Sequence, residues 1–505
     1  MHGSLNRSNF VPPRGLQLQS GRFGRMFPHL SKLNATADAV TALGNSMKEP
    51  DGAENDPTFD NPDIPSGFTY LGQFVDHDIT FDPTSLPERD IDPQAVHNFR
   101  TPKLDLDNLY GLGPDDEPYL YVRDGQDQVG DPLPPGARPL PHGTFLLGKC
   151  RPSPSLDPKF FIDAIPNDLP RVVNKFATIG DPRNDENLVV AQLHLAMLKF
   201  HNKVLASQGL SFDDARRIVT WHYQWILVHD FVKRIVDPAV LDDVLVNGRQ
   251  FYHFGVDPFI PVEFSSAAYR LGHSMVRSEY DHNINFGPPP GQRLFNAKLE
   301  TLFRFTGRSS DGSLMPLPSD WAIDWQRFFE LSQPSTGRRN QSRLIDPLIA
   351  SPLFNLPDGG PPLPVRNLIR GLRFELPSGQ SVATAMSIPR LTTKEISQGP
   401  DGAEAAAQGL VDQTPLWYYI LKEAQVHADG KHLGAVGSRI VAEVFIGLLQ
   451  GDPHSYLSQA PNWKPTLPGA AGEFTFADLL KFVGDINPVE DPANRIPAPP
   501  KPPAP

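Results

Sequence analysis

The run Gly72-Gln73-Phe74-Val75-Asp76-His77-Asp78 brings an imidazole, an amide and two carboxylates within seven residues. At about 100° per residue, a helix through this run puts Gln73, Asp76 and His77 within an arc of about 100° and turns Asp78 about 200° away from Asp76. An imidazole in such company can take up and return a proton near neutral pH, because its unperturbed pKa is about 6.5. The plain alternative is a helix whose acids are only solvated. Downstream, Thr101-Pro102-Lys103-Leu104-Asp105-Leu106-Asp107 offers a hydroxyl and two carboxylates at alternate positions, with a backbone carbonyl between them. Hard oxygen ligands at that spacing suit calcium. They do not match the twelve-residue EF-hand loop, so a ligand from elsewhere is needed, and Asp78 is a candidate.

Two further runs carry chemistry. In Gly180-Asp181-Pro182-Arg183-Asn184-Asp185-Glu186-Asn187, helical spacing puts Arg183, Glu186 and Asn187 on one face and turns Asp185 elsewhere. An arginine there is commonly a local ion pair or cap. Tyr269-Arg270-Leu271-Gly272-His273-Ser274-Met275 sets one histidine in an apolar helix, where a satisfied core residue is commoner than a metal ligand. The pairs His194/His201 and His222/His229 share helical faces and suggest a metal in a bundle, but no Glu-x-x-His accompanies them, which favours core or surface histidines.

The elements that must hold these groups are mainly helical. The spacing of Phe68, Leu71, Phe74 and Val75 predicts a short helix from Gly67 to Phe81, ended by Asp82-Pro83. Longer helical patterns run over Glu186–Gln208, Phe212–Val236 and Ser265–Arg277, and another pair, Leu416–Ala428 and Leu433–Gln450, is divided by Asp429-Gly430. Residues 1–65 read as an irregular arm, 66–487 as one catalytic domain and 488–505 as a disordered Pro-rich tail. Proline supplies 55 of 505 residues, about 11% against an average near 5%, so much of the chain is loop. One cysteine, Cys150, excludes an internal disulfide framework, a thiolate zinc site and C-x-x-C-H haem attachment. A net charge of -12 without a basic stripe argues against nucleic acid as a partner. No stretch approaches the roughly 20 apolar residues of a membrane span, and no secretion signal is visible. The expectation is a soluble protein, cytoplasmic or exported by another route.

Taken jointly, these runs resemble the animal haem peroxidase superfamily over about residues 67–455. The resemblance implies a mainly α fold with long loops and little β structure, a haem b cofactor and calcium. It makes His77 the acid/base group above the iron, Asp76 and Glu186 the acids that form ester links to the haem, and Arg183 the distal arginine. Gln73 then helps hold a halide or water. His273 becomes the iron ligand, and Asn367-Leu368-Ile369-Arg370 places Asn367 on its imidazole and Arg370 near a haem propionate. Asp78, Thr101, Lys103 through its carbonyl, Asp105 and Asp107 become the calcium ligands, in a loop closed by Leu109-Tyr110-Gly111. Asn187 stands where some members carry a methionine bonded to the haem, so a sulfonium link is impossible here.

The implied activity is reduction of hydrogen peroxide through a ferryl intermediate, with halide, thiocyanate or small aromatic donors oxidised, as in a response to oxidative stress. Fatty-acid dioxygenases of the same superfamily are the nearest rival. They use a tyrosine three residues before the proximal histidine, where this chain has Arg270, with Tyr269 one residue further away. More distant alternatives are a metal-dependent hydrolase built on His77-Asp78, whose nearest upstream histidine is His29, and a non-catalytic, calcium-stabilised binding module.

Overall fold

The computed structural model describes residues 21–81, 97–155, 157, 159–287, 297–307, 314–334, 337–469 and 472–498. Its longer helices are α1 (Ala37–Ser46), α2 (Gly67–Ile79), α3 (Leu188–Gln208), α4 (Phe212–Ile226), α5 (Pro238–Asn247), α6 (Leu363–Arg373), α7 (Leu416–Ala428) and α8 (Ala435–Gly451). The strands are two to six residues long. The chain divides into two compact units, each assembled from three separated stretches. The first uses Met1–Leu106, Thr220–Ser278 and Gln341–Thr466. The second uses Asp107–Val219, Glu279–Asn340 and Leu467–Pro505.

In the first unit, α2 buries Phe68, Leu71, Phe74, Val75 and Ile79. It stops two residues before the sequence pattern does, because Asn98 ties down the chain beyond it: its Nδ2 donates to the Ile79 carbonyl at 2.8 Å and its Oδ1 accepts from the Phe81 N–H at 2.7 Å. Asp82 and Pro83, expected to end the helix, lie outside the described residues. Helix α7 matches its expected bounds and ends at Asp429, φ 51°, followed by Gly430, φ 69°. Left-handed backbone of that kind ends helices.

The expected helix over Ser265–Arg277 is absent. A short helix, Val262–Ser265, is followed by a tight 3-10 turn, Ala268–His273. The serines and Gly272 have weak helical preference. Side chains also take carbonyls that an α-helix would use: Arg270 Nε donates to the Ser265 carbonyl at 2.9 Å, and Ser274 Oγ to that of Leu271 at 2.9 Å. The turn packs against α2, α7 and α8, and the Trp417 indole donates to the Arg270 carbonyl at 3.3 Å. The pattern read as Phe212–Val236 is helical as far as Ile235, but Leu227–Val232 winds as a π-helix. Phe231, in that stretch, lies 3.2 Å from where a Cβ on Gly72 would stand.

From residue 21 onward, the arm is more ordered than its turn-rich composition suggests. Thr36 caps α1 by accepting the Ala39 N–H, and fully buried Val40 and Leu43 anchor the helix. Gly44 meets Val365 of α6 so closely that a Cβ there would stand 2.9 Å from it. Gly21–Gly24 pairs parallel with Ile260–Pro261 and antiparallel with His97–Asn98, while Asp60–Pro65 pairs with Gln341–Arg343.

In the second unit, the Asn187 side chain accepts from the Val190 N–H at 3.0 Å and starts α3 at Leu188. The expected start at Glu186 is two residues too early, because a separate 3-10 turn, Pro182–Asp185, comes first. The tail is ordered as far as it is described: Arg495–Pro497 pairs with Phe160–Ile162, so backbone pairing overrides its composition there.

Candidate active site

His77 is buried near the end of α2, whereas Gln73 and Asp76 are only half-buried on the same helix. Burial does not follow the helical-face division expected for these residues, because His77 is buried as Asp78 is, apart from Gln73 and Asp76. Thr80 caps the helix, and its hydroxyl donates to Asp76 at Oδ1, 3.0 Å, and at the main-chain oxygen, 2.9 Å.

Asp78 is fully buried and turned towards other partners. Its Oδ2 accepts from the Tyr223 hydroxyl at 3.1 Å and from the Leu106 N–H at 3.3 Å. Leu106 has a φ of 59°, a left-handed backbone that is costly for a leucine. Asp78 and Asp105 each bring a carboxylate oxygen within 4.8 Å of the other. A buried and a half-buried carboxylate this close repel one another, and a cation relieves that repulsion. Thr101 Oγ1 donates to both Asp105 oxygens, at 3.1 and 3.0 Å. The Lys103 ammonium lies 3.6 Å from Asp452. Asp107 follows two residues along and opens the second unit.

His273 ends the 3-10 turn in the same unit as His77, and the turn packs on α2 where the Tyr269 hydroxyl donates to the Gly72 carbonyl at 3.2 Å. Asn367, on α6, places its amide 2.8 Å from His273 Nδ1. That leaves Nε2 as the ring nitrogen for a metal. Burial first, then the charges of Arg270 and Arg370, hold the His273 imidazole well below its ordinary pKa, so the ring is neutral and able to coordinate. Burial, then the charges of Asp76 and Asp78, push the Tyr269 phenol up.

Arg183 and Glu186 belong to the second unit. The common α-helical face expected for Arg183, Glu186 and Asn187 does not form, because the first two sit in and just after the 3-10 turn and Asn187 is extended, φ -151°. The Arg183 side chain pairs with Asp181, Nη2 to Oδ2 at 2.7 Å. Asp185 points elsewhere as expected, taking both Arg171 Nη groups at 2.9 Å.

Of the alternative histidine pairs, His194, His201 and His222 are buried and His229 is half-buried, and each has its own partner. His201 meets the Tyr110 hydroxyl at 3.0 Å and the Gly143 carbonyl at 3.2 Å, and burial pushes its pKa down to about 4. His194 meets Asn184 at 2.9 Å. His222 accepts from the Thr466 N–H at 3.1 Å, and His229 stacks on Trp225 with ring centroids 3.7 Å apart.

A sequence model of the animal haem peroxidase family matches residues 163–300. Heme peroxidase 2 of Caenorhabditis elegans is 24% identical over 306 residues, 56% of this chain and 40% of that protein. A peroxidase-like protein of Margaritifera margaritifera is 27% identical over 194 residues, 35% of this chain and 23% of that one. The chain thus spans well under half of either relative. The fold is similar to that of peroxidase A from Dictyostelium discoideum, with a TM-score of 0.61 at 17% identity over 93% of this chain and 95% of that one. The chain is thus similar in part of its sequence, and in fold, to members of the animal haem peroxidase superfamily. A fatty acid alpha-dioxygenase of Oryza sativa also shares the superfamily fold, with a TM-score of 0.56 at 13% identity over 90% of this chain and 78% of that one.

Similarity to this superfamily implies haem, and the residues present fit it. Ala268, Tyr269, Arg270 and Leu271 of the 3-10 turn are buried, yet His273 is half-buried. A Cβ added to Gly272 beside it would meet no heavy atom within 4 Å. Arg270 and Arg370 line one cavity together with Thr80, Ser265, Ser266, Phe23 and Phe374. Two guanidinium groups and three hydroxyls suit the carboxylates of a porphyrin edge. Tyr223 on Asp78 and Asp181 on Arg183 were not assigned roles from the sequence. Asp181 had a signal, as an Asp-Pro pair opening a helical turn. Tyr223 had none, since it reaches Asp78 from 145 residues away.

Proposed function

We propose that this chain is a haem peroxidase that reduces hydrogen peroxide and oxidises small donors such as halide, thiocyanate or aromatic compounds. The observation that carries the reading is the His273–Asn367 contact of 2.8 Å on a turn packed against the helix of His77. His273 would hold the iron through Nε2, with Asn367 fixing the ring and Arg370 binding a porphyrin carboxylate. Haem bound there supplies the electrons that divide the peroxide O–O bond and the oxidising power passed on to a donor. His77 takes the proton from one peroxide oxygen and returns it to the other, since one imidazole can serve as base and then acid. Arg183 steadies charge on the departing oxygen. The Gln73 amide holds a halide or water.

Asp76 and Glu186 form ester links to the haem, and Asp78, Thr101, the Lys103 carbonyl, Asp105 and Asp107 bind calcium behind His77. Acid-acetone extraction with intact mass spectrometry tests the esters: full release of free haem from peroxide-treated enzyme rules them out. For the main reading, His77→Ala should slow the peroxide-induced change in the Soret band by about 10²–10⁴-fold in stopped flow. An unchanged rate refutes the role of His77.

The fold shared with the rice dioxygenase favours a second reading, oxygenation of a fatty acid. Against it, Arg270 stands where that chemistry uses tyrosine, and the Tyr269 phenol is tied to the Gly72 carbonyl. Oxygen uptake with an unsaturated fatty acid and no peroxide would establish it.

A further inference from the structure

We propose that residues 21–33 form a strap that closes the porphyrin-carboxylate end of the cofactor cavity and slows the exchange of bound haem, an inference that rests on the peroxidase reading above. Apart from the strap, the cavity is lined from three stretches of chain, all within the first unit. Ser265, Ser266 and Arg270 come from the end of the short Val262–Ser265 helix and the 3-10 turn after it, Arg370 and Phe374 from the end of α6, and Thr80 from the end of α2. Phe23, which is buried and lines the same cavity, belongs to the strap.

The strap is fastened to each of the three stretches. Towards the first, Phe23 and Gly24 pair with Ile260 and Pro261, and the Glu263 carboxylate accepts the Met26 N–H at 3.0 Å and the Phe27 N–H at 3.1 Å. Glu263 is fully buried, and its two oxygens hold two successive peptide groups as a clasp would. Gly24 has to be small at this crossing, because a Cβ there would stand 2.6 Å from the Phe259 ring. Towards α6, Arg25 Nη1 donates to the Glu375 carbonyl at 3.3 Å, Lys32 Nζ to Glu375 Oε1 at 2.7 Å, and the Leu33 N–H to the Leu376 carbonyl at 2.8 Å. Towards α2, Gly21 pairs with Asn98, whose side chain holds the backbone on both sides of Thr80. Closure of the strap and occupation of the cavity therefore favour one another: a group that fills the cavity against Phe23 stabilises the closed strap, and the closed strap retains that group by the same factor.

The test compares Glu263→Ala and Phe23→Ala with the wild-type full chain, loaded with haem and kept from peroxide so that no ester can form. Haem release is followed by transfer to excess apomyoglobin, and opening of the strap by trypsin cleavage of the Arg25–Met26 bond, with and without haem. E263A removes two hydrogen bonds to a charged acceptor, so it should release haem at least about tenfold faster and be cut at Arg25 faster in both states. F23A keeps the clasp and removes only the ring that lines the cavity. It should also release haem faster, and haem should no longer slow its cleavage as it slows that of wild type. If E263A is cut faster while both variants release haem within twofold of the wild-type rate, the strap opens without freeing the cofactor and the proposal falls. Equal cleavage of wild type with and without haem would overturn it as well. If wild type takes up no haem, it is the peroxidase reading that fails, and the proposal with it. Should E263A not fold, F23A decides, because it leaves the backbone pairing and the clasp in place.

Discussion

Replacing Asn367 by Leu would remove the amide that lies 2.8 Å from His273 Nδ1 while keeping a side chain of similar size. Asn367 is 3% exposed, so water does not readily replace it. When iron binds Nε2, the ring proton is on Nδ1 and needs an acceptor, which the amide oxygen provides after a half-turn of the side chain. Without that acceptor a buried N–H goes unpaired, at a cost of about 1–3 kcal/mol. Converted at 1.36 kcal/mol per tenfold, that is roughly a 5- to 150-fold loss in haem affinity. The loss is of the same order as the 10–100-fold usual for groups that orient a metal-bound histidine. The assay is Soret titration of apoprotein with haem, done before any peroxide is added so that ester formation cannot mask dissociation. N367L should also shift the iron potential upward, because a ligand without its hydrogen-bond partner donates less electron density. A haem Kd within twofold of wild type, with the potential unmoved, would refute the assignment of His273 as the ligand oriented by Asn367.

Gly272→Leu should leave the apoprotein melting temperature within a few degrees of wild type yet abolish haem uptake, since the added side chain enters space bordered by no protein atom within 4 Å. Wild-type uptake in G272L would place the cofactor elsewhere. For calcium, a free concentration a hundredfold above its Kd stabilises the fold by about 2.7 kcal/mol. Chelation should thus lower the melting temperature of wild type by several degrees and that of Asp105→Asn by much less, and equal shifts would argue against Asp105 as a ligand. Burial pushes the Glu423 carboxyl up to about 7, against opposing bonds from the Gly437 and Val436 N–H groups. A folded pKa above the unfolded value means that the folded state binds the proton more tightly, so stability is lost as pH rises from about 4.5 to about 7, by roughly 3 kcal/mol in full. Glu423→Gln should melt above wild type at pH 8 and level with it at pH 4.5, and a constant offset across that window would contradict the assignment.

The residue runs around His77, Thr101, Arg183 and His273 could be picked out from the sequence because the chemistry of each lies within eight residues. Their local conformations were harder to read. Apolar spacing found α2 and α7, where the core-facing stripe is regular, but it mistook the Ala268–His273 turn for a helix, because periodicity does not register side chains that take backbone carbonyls. It missed α1, since one cap and two buried residues are a weak signal in a turn-rich arm. The partners from distant stretches, Tyr223 for Asp78 and Val365 for Gly44, have no sequence signature at all. They arise from long-range packing, which the sequence does not display residue by residue.

The way the first unit is assembled bears on how the protein matures. His77, His273 and Asn367 come from three stretches of chain, the last of which ends at Thr466, and two stretches of the other unit are made between them. A nascent chain leaving the ribosome would carry the histidine of α2 long before the amide that orients His273 has been synthesised. On the peroxidase reading, cofactor capture would wait until α6 has been made, and a fragment ending before α6 should emerge colourless even in a cell rich in haem.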